Sequence, residues 1–140
     1  MNQELIDKAC KIIEQNTGSE SYCTLALIDA NGFPTASTIT AAKADGIRWI
    51  TFCTGLTSSK ANRIRQCDHA CVCLNTGGMY NITLVGTIEI ITDDATKKEM
   101  WYEGLKNHFS GADDPNYCVL LFKTQRYSLF VDWKEAEGSL

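Results

Sequence analysis

At 140 residues, with 44% hydrophobic and 21% charged side chains, the chain has the size and balance of one folded domain spanning residues 1–140. Seventeen acidic residues against thirteen basic ones argue against general binding to nucleic acid or to anionic membranes. No apolar run approaches the ~20 residues that span a bilayer, and Met1–Lys8 carries acids where a signal peptide needs a basic start, so a cytoplasmic location is expected.

Leu5, Ile6, Ala9, Cys10, Ile12 and Ile13 recur at helical spacing and predict an amphipathic helix over residues 3–16, closed by Asn16-Thr-Gly18. Tyr22–Ile28 reads as a strand, Asp29-Ala-Asn-Gly32 as a hairpin turn, and Pro34–Ala41 as the partner strand. A second turn at Ala44-Asp-Gly46 leads to a strand over Ile47–Cys53. A short helix begins at Ser58 or Ser59 and ends at Gln66, before a strand over Ala70–Leu74. Tyr80–Thr92 gives the longest strand signal, with Ile82, Leu84, Gly86, Ile88 and Ile90 on one face; Gly86 in its middle predicts a bulge or sharp bend. Asp93–Trp101 reads as a helix start and Ser110–Asn116 as loop. Tyr117–Lys123 and Tyr127–Val131 read as the last strands, with a polar, frayed tail after Trp133. Six to seven mostly antiparallel strands with helices at the periphery make a mainly β chain, a barrel or a sandwich.

Seven cysteines, an odd number, without an export signal fit reduced thiols better than a disulfide framework. Cys67-Asp-His-Ala-Cys-Val-Cys73 invites a zinc reading. Cys71 and Cys73 share one strand face, however, while Cys67 and His69 fall at a helix end and turn, and no second ligand pair exists; no metal site is expected. His69 and His108 have no nucleophile setting beside them, so no catalytic residue is assigned. Asp113-Asp114-Pro115 reads as a turn that caps the following strand. Neither a dinucleotide fingerprint nor a P-loop is present. Trp49, Trp101 and Trp133 suit stacking on a planar ligand, but equally suit core or interface positions.

The sharpest feature is Thr54-Gly-Leu-Thr-Ser-Ser-Lys-Ala-Asn-Arg-Ile-Arg65. Between Ile47 and Cys67 lie Arg48, Lys60, Arg63 and Arg65 with no acidic residue, inside an otherwise acidic chain. A basic helix start offers unpaired N–H groups, hydroxyl donors and a point charge, the requirements of a phosphate. The same residues also suit a capped surface helix with a solvated basic face.

Four pieces in order resemble the pyridoxamine 5'-phosphate oxidase-like FMN-binding split barrels, of the short general-stress-protein type. They are Gly32-Phe-Pro34 leading to Ile39; Trp49–Thr54 followed by Ser58-Ser-Lys60 and Ile64; Val85-Gly86 followed by Asp93; and Trp101, Phe109–Pro115 and the terminal strand ending in Trp133. The resemblance implies a split β-barrel and a homodimer holding FMN at its interface. Ser58 and Lys60 would then grip the phosphate with Thr54 near it, while Ser37, Thr38, Ile39 and Phe52 would line the ribityl chain and ring. Trp133 from the second copy would close the other side. Ser37 stands where many relatives carry Arg, a contact for which Arg63 would have to compensate. The chain also lacks the C-terminal Arg and His residues with which true pyridoxamine phosphate oxidases hold their substrate, so that reaction is not expected. The implied function is an FMN-dependent oxidoreductase supplied with electrons by a nicotinamide or another reductase. The alternatives are a non-catalytic flavin, haem or deazaflavin carrier or stress sensor, and a cofactor-free barrel.

Overall fold

The computed structural model describes residues 2–18 and 20–140. The elements run α1 (Asn2–Gln15), β1 (Cys23–Ile28), β2 (Pro34–Ile39), β3 (Ala41–Asp45), β4 (Trp49–Gly55), α2 (Ser59–Gln66), β5 (His69–Thr76), β6 (Tyr80–Ile91), α3 (Asp94–Met100), a 3-10 turn (Glu103–Asn107), β7 (Tyr117–Val131) and β8 (Lys134–Ser139). The strands form one antiparallel sheet in the order β2-β1-β5-β6-β7-β4-β3, with β8 paired to β7. β2 and β3 lie at opposite ends of this order, yet only Thr40 separates them in the chain. The sheet must therefore curl until its two ends meet, which is the expected split barrel.

Alternation along the strands fills that barrel. Leu25, Leu27, Ile50, Phe52, Val72, Ile82, Leu84, Ile88, Leu120, Phe122 and Leu129 are all fully buried in one cluster. Burial of each such side chain is worth about 1.5–3 kcal/mol. α1 adds Leu5, Ala9 and Ile13 from one helical face, as its spacing predicts. The turn before β4 closes tightly beneath this helix: Gly46 has φ +54° and donates its N–H to Glu14 Oε2 at 2.8 Å, and a Cβ there would overlap the Cys10 thiol. A second cluster, Met100, Leu105, Tyr117, Val119 and Ala42, sits outside the barrel between α3, the 3-10 turn and the far side of β4 and β7.

The structure departs from the sequence reading in three places. The strand predicted over Pro34–Ala41 stops at Ile39, and after Thr40 the chain continues as β3, which takes in Ala44 and Asp45 of the predicted turn and pairs with β4 from Ala41↔Phe52 to Asp45↔Trp49. The last two predicted strands are one. β7 runs without a break for 15 residues, because the polar Thr124–Arg126 stretch holds a bulge: Val85 pairs with Arg126 and Gly86 with Thr124. That irregularity falls at the glycine where a bend was expected, and a Cβ on Gly86 would overlap the Lys123 carbonyl oxygen. Finally, the polar tail after Trp133 is not frayed. It returns as β8, pairing Val131↔Lys134 through Arg126↔Ser139 and burying Ala136.

Candidate functional site

The site is assembled where β4 ends. β4 is held on one side by β3 and on the other by β7, through Thr54↔Cys118 and Gly55↔Tyr117. The chain then turns through residues 56–58 into α2. This turn is clamped from two directions: Leu56 N–H donates to the Asn116 carbonyl at 2.7 Å, and Arg65 Nη2 donates to the Leu56 carbonyl at 2.8 Å. Asn116 is itself positioned by Asp114, whose carboxylate accepts from the N–H groups of Asn116 and Ser110 at 2.9 and 3.0 Å. Those two backbone bonds hold the Asp114 carboxyl below its usual range. The predicted turn at Asp113–Pro115 is thus the strut behind the α2 entry.

Ser58 is the N-cap of α2, in extended backbone, and its Oγ accepts from Ala61 N–H at 3.1 Å. Its own hydroxyl proton stays free to donate. The N–H groups of Ser59 and Lys60 are the first of the helix and have no intrahelical acceptor. Of the four basic residues in this stretch, Arg48 pairs with Asp45 at 3.6 Å, and Arg65 is spent on Asn62 and Leu56. Among the described residues Lys60 and Arg63 make no ion pair. The uncommitted Lys60, a hydroxyl donor and two free N–H groups gather at the start of α2, a donor set suited to an anion, while Arg63 stands in the helix's last turn.

Beside this donor set, Ile39 and Thr40 from the β2–β3 junction and Cys53, Thr54 and Gly55 from β4 line a cavity of about 300 Å³. Its far wall is Tyr102, Leu105, His108 and Phe109. The expected Ile39 and Thr54 therefore come together. Ser37 and Thr38 occupy the same strand, pointing to opposite faces: Ser37 pairs with Leu25 on the core side and Thr38 with Thr24 on the outer side. Phe52 does not reach the cavity. It is fully buried inside the barrel, since inward and outward positions alternate along β4, and its neighbour Cys53 takes the cavity wall instead. Trp133 lies at the β7–β8 turn, 85% exposed, with φ +64° following Asp132 at +51°. Lys8 holds that turn through Asp132 at 3.0 Å, and Phe130 meets the indole edge-on at 5.7 Å.

The cavity lining is protic. Burial pushes the Cys53 thiol up to about 11, and its Sγ stands 3.7 Å from the Tyr117 hydroxyl. Tyr117 donates to the Lys97 carbonyl at 2.7 Å, and burial holds its hydroxyl well above the phenol range. Tyr102 is also raised, by burial first and then by Cys53 and Tyr22. At neutral pH these groups offer hydrogen bonds rather than a nucleophile. Tyr102, His108 and Phe109 were missed in the sequence because the 3-10 turn that presents them has neither a helical nor a strand period.

Residues 10–130 match the profile of the pyridoxamine 5'-phosphate oxidase family. The chain belongs to this family. A protein from Clostridium acetobutylicum related to general stress protein 26 superposes over all of this chain and 97% of its own, with TM-score 0.85 and 21% identity. A pyridoxamine 5'-phosphate oxidase-related, FMN-binding protein from Nostoc punctiforme covers 99% of this chain and 94% of its own at TM-score 0.60 and 15% identity. A haem-binding protein from Mycobacterium smegmatis covers 94% of this chain and 56% of its own, at TM-score 0.73 and 17% identity. At such identities the likeness fixes the fold, a split barrel, and leaves the ligand to this chain's own residues. No curated relative matches. Among the described residues, no helix of this family member is long and apolar enough to cross a membrane.

Proposed function

We propose that this chain is an FMN-binding flavoprotein and that it works as an oxidoreductase. One observation carries the reading: the uncommitted Lys60, the Ser58 hydroxyl and the free helix N–H groups lie directly after the strand whose end walls the Ile39–Thr54 cavity, with Arg63 following in the last turn of the same helix. A donor set suited to an anion, next to a cavity, fits a phosphate attached to a ring system. Ser58 and Lys60 would hold the phosphate, with Arg63 supplying the charge that Ser37 does not. Thr38, Ile39 and Thr54 would flank the chain and ring. Bound FMN would supply hydride and electron transfer, with a nicotinamide as the donor of choice. The neutral thiol and phenols of Cys53 and Tyr102 would orient a reacting partner by hydrogen bonding, without charge of their own. Nothing in the donor set favours turnover of pyridoxamine phosphate.

The same reading includes a homodimer. Trp133 is an aromatic side chain in the left-handed backbone region, held out to solvent by the Lys8–Asp132 pair, and a second copy would cover it. Seven thiols with no disulfide among the described residues suit the reducing cytoplasm. The deciding experiment is an absorption spectrum after adding FMN and removing the excess by gel filtration. A retained flavin spectrum on a particle of two chains, bleached by NAD(P)H, supports the enzyme. A retained flavin that NAD(P)H leaves oxidised supports a carrier or sensor. No retained flavin, or a Soret band in its place, overturns the FMN assignment.

A further inference from the structure

Three side chains that the α2 site does not use stand in a row on β5. His69, Cys71 and Cys73 alternate with the buried Ala70, Val72 and Leu74, so they share the outward face of the strand, with both thiols half-buried. The register surrounds the cysteines with short, uncharged groups: Cys71 lies opposite Ala26 and Val85, and Cys73 opposite Thr24 and Thr83. The titratable groups along this face are His69 and, 3.9 Å from its Nε2, Asp68; β1 and β6 present none at the registers of the two thiols. Cys73 also has its own polar setting. Its thiol donates to Asn81 Oδ1 at 3.2 Å, and the Thr83 hydroxyl and Asn75 amide point donors at its Sγ from 4.0 Å.

The geometry of a strand decides what such a pair can hold. Same-face neighbours stand about 6.8 Å apart with nearly parallel Cα–Cβ bonds. A disulfide needs Cβ atoms about 3.5–4.5 Å apart, so the pair cannot close on itself without breaking the β5 ladder. Rotated toward each other, the two Sγ atoms can instead reach the span of two metal–sulfur bonds laid end to end, about 4.6 Å. Among the described residues, no group of three or more His, Cys, Asp or Glu could hold a metal ion, which rules out four-coordinate zinc here. Two thiolates alone satisfy a soft cation that accepts linear coordination.

We propose that Cys71 and Cys73 form a two-coordinate site for a soft monovalent cation, Cu(I) or Ag(I), on the outer face of β5. Two S–H bonds break and two metal–sulfur bonds form. Two thiols and one monovalent cation give a singly negative dithiolate complex and two released protons, and no electron moves. The site is separate from the α2 site and stands whether or not flavin binds.

The test is an anaerobic titration of the reduced full-length protein with Cu(I), in competition with a chromophoric Cu(I) chelator. Wild type is expected to withdraw one equivalent per chain, and C67S to do the same. C71S and C73S should each bind that equivalent at least about tenfold more weakly, the loss of one of two metal bonds. Unchanged affinity in both C71S and C73S, an equal loss in C67S, or no competition by wild type overturns the site. Should a variant fail to fold, alkylation mapping on wild type decides: one equivalent of Ag(I) should protect Cys71 and Cys73 ahead of Cys10 and Cys67, and uniform protection across the four rejects the proposal.

Discussion

A serine that accepts a backbone hydrogen bond still has its own proton to give, and Ser58 holds this double position at the entry of α2. The two roles separate by substitution. Ser58→Asp keeps a good N-cap, so its melting temperature should stay near wild type while FMN retention is lost to charge repulsion; Ser58→Ala should lose about 1 kcal/mol of stability as well. Lys60→Ala should leave the fold intact and weaken FMN binding by about 1.5–3 kcal/mol, read by equilibrium dialysis, because a charge-assisted bond is removed from a half-buried site. If Lys60→Ala retains flavin like wild type, the phosphate assignment is wrong. Cys53 should alkylate slowly at neutral pH, with a rate that climbs about tenfold per pH unit until it nears 11, as mass spectrometry of the modified peptide would record. These residues were unequally legible. Ser58 and Lys60 announced themselves by charge and capping chemistry. The exchange of Phe52 for Cys53 at the cavity wall was decided by which face of β4 turns inward, and that depends on Ala41 and Leu120 across the sheet.

Helix ends and turns were the most readable elements, because their determinants are local. α2 begins at its serine cap and ends at Gln66 as expected, and Asp93 caps α3 by accepting from Thr96 N–H at 2.9 Å. That bond holds the Asp93 carboxyl below its ordinary value of 3.8, as the bonds of Asp114 do for its own. Both groups therefore support the fold fully above that value, and the support fades as pH falls through their lowered values. Asp93→Asn keeps a cap that cannot titrate; its melting temperature should match wild type near neutral pH and fall less steeply below 3.8. Strand limits were harder to read where the partner is remote. The Ala44-Asp-Gly46 turn signal falls on the end of β3, where pairing with β4 overrides it, and the tail reads as a loose end because Lys134–Ser139 is polar and gains its order from β7. Residues that look disordered alone can be an edge strand once a long neighbour is in place. A chain ending at Trp133 should accordingly lose stability, about 2–4 kcal/mol in a urea titration, as Leu129 and Val131 lose their cover.

The family fold was visible in the order of its pieces, whereas the closing of the barrel was not, because it is a property of pairings between distant segments. Thr40 carries the chain across the seam from β2 to β3, and β7 supplies the other half of the closure. β7 pairs with β4 over Tyr117–Lys123, with β6 over nearly its whole length, and with β8 at its far end. Without β7 the sheet falls into two unconnected parts, β2-β1-β5-β6 and β4-β3. On the ribosome this has an order of events built in. Everything before residue 117 can emerge and still possess only hairpins and one small sheet, so the nascent chain carries Leu25, Val72, Leu84 and Phe52 uncovered until β7 follows. The barrel becomes possible only once Tyr117–Val131 has left the exit tunnel, so the folding of the sheet waits on this one strand and holdase chaperones have that interval to guard what precedes it.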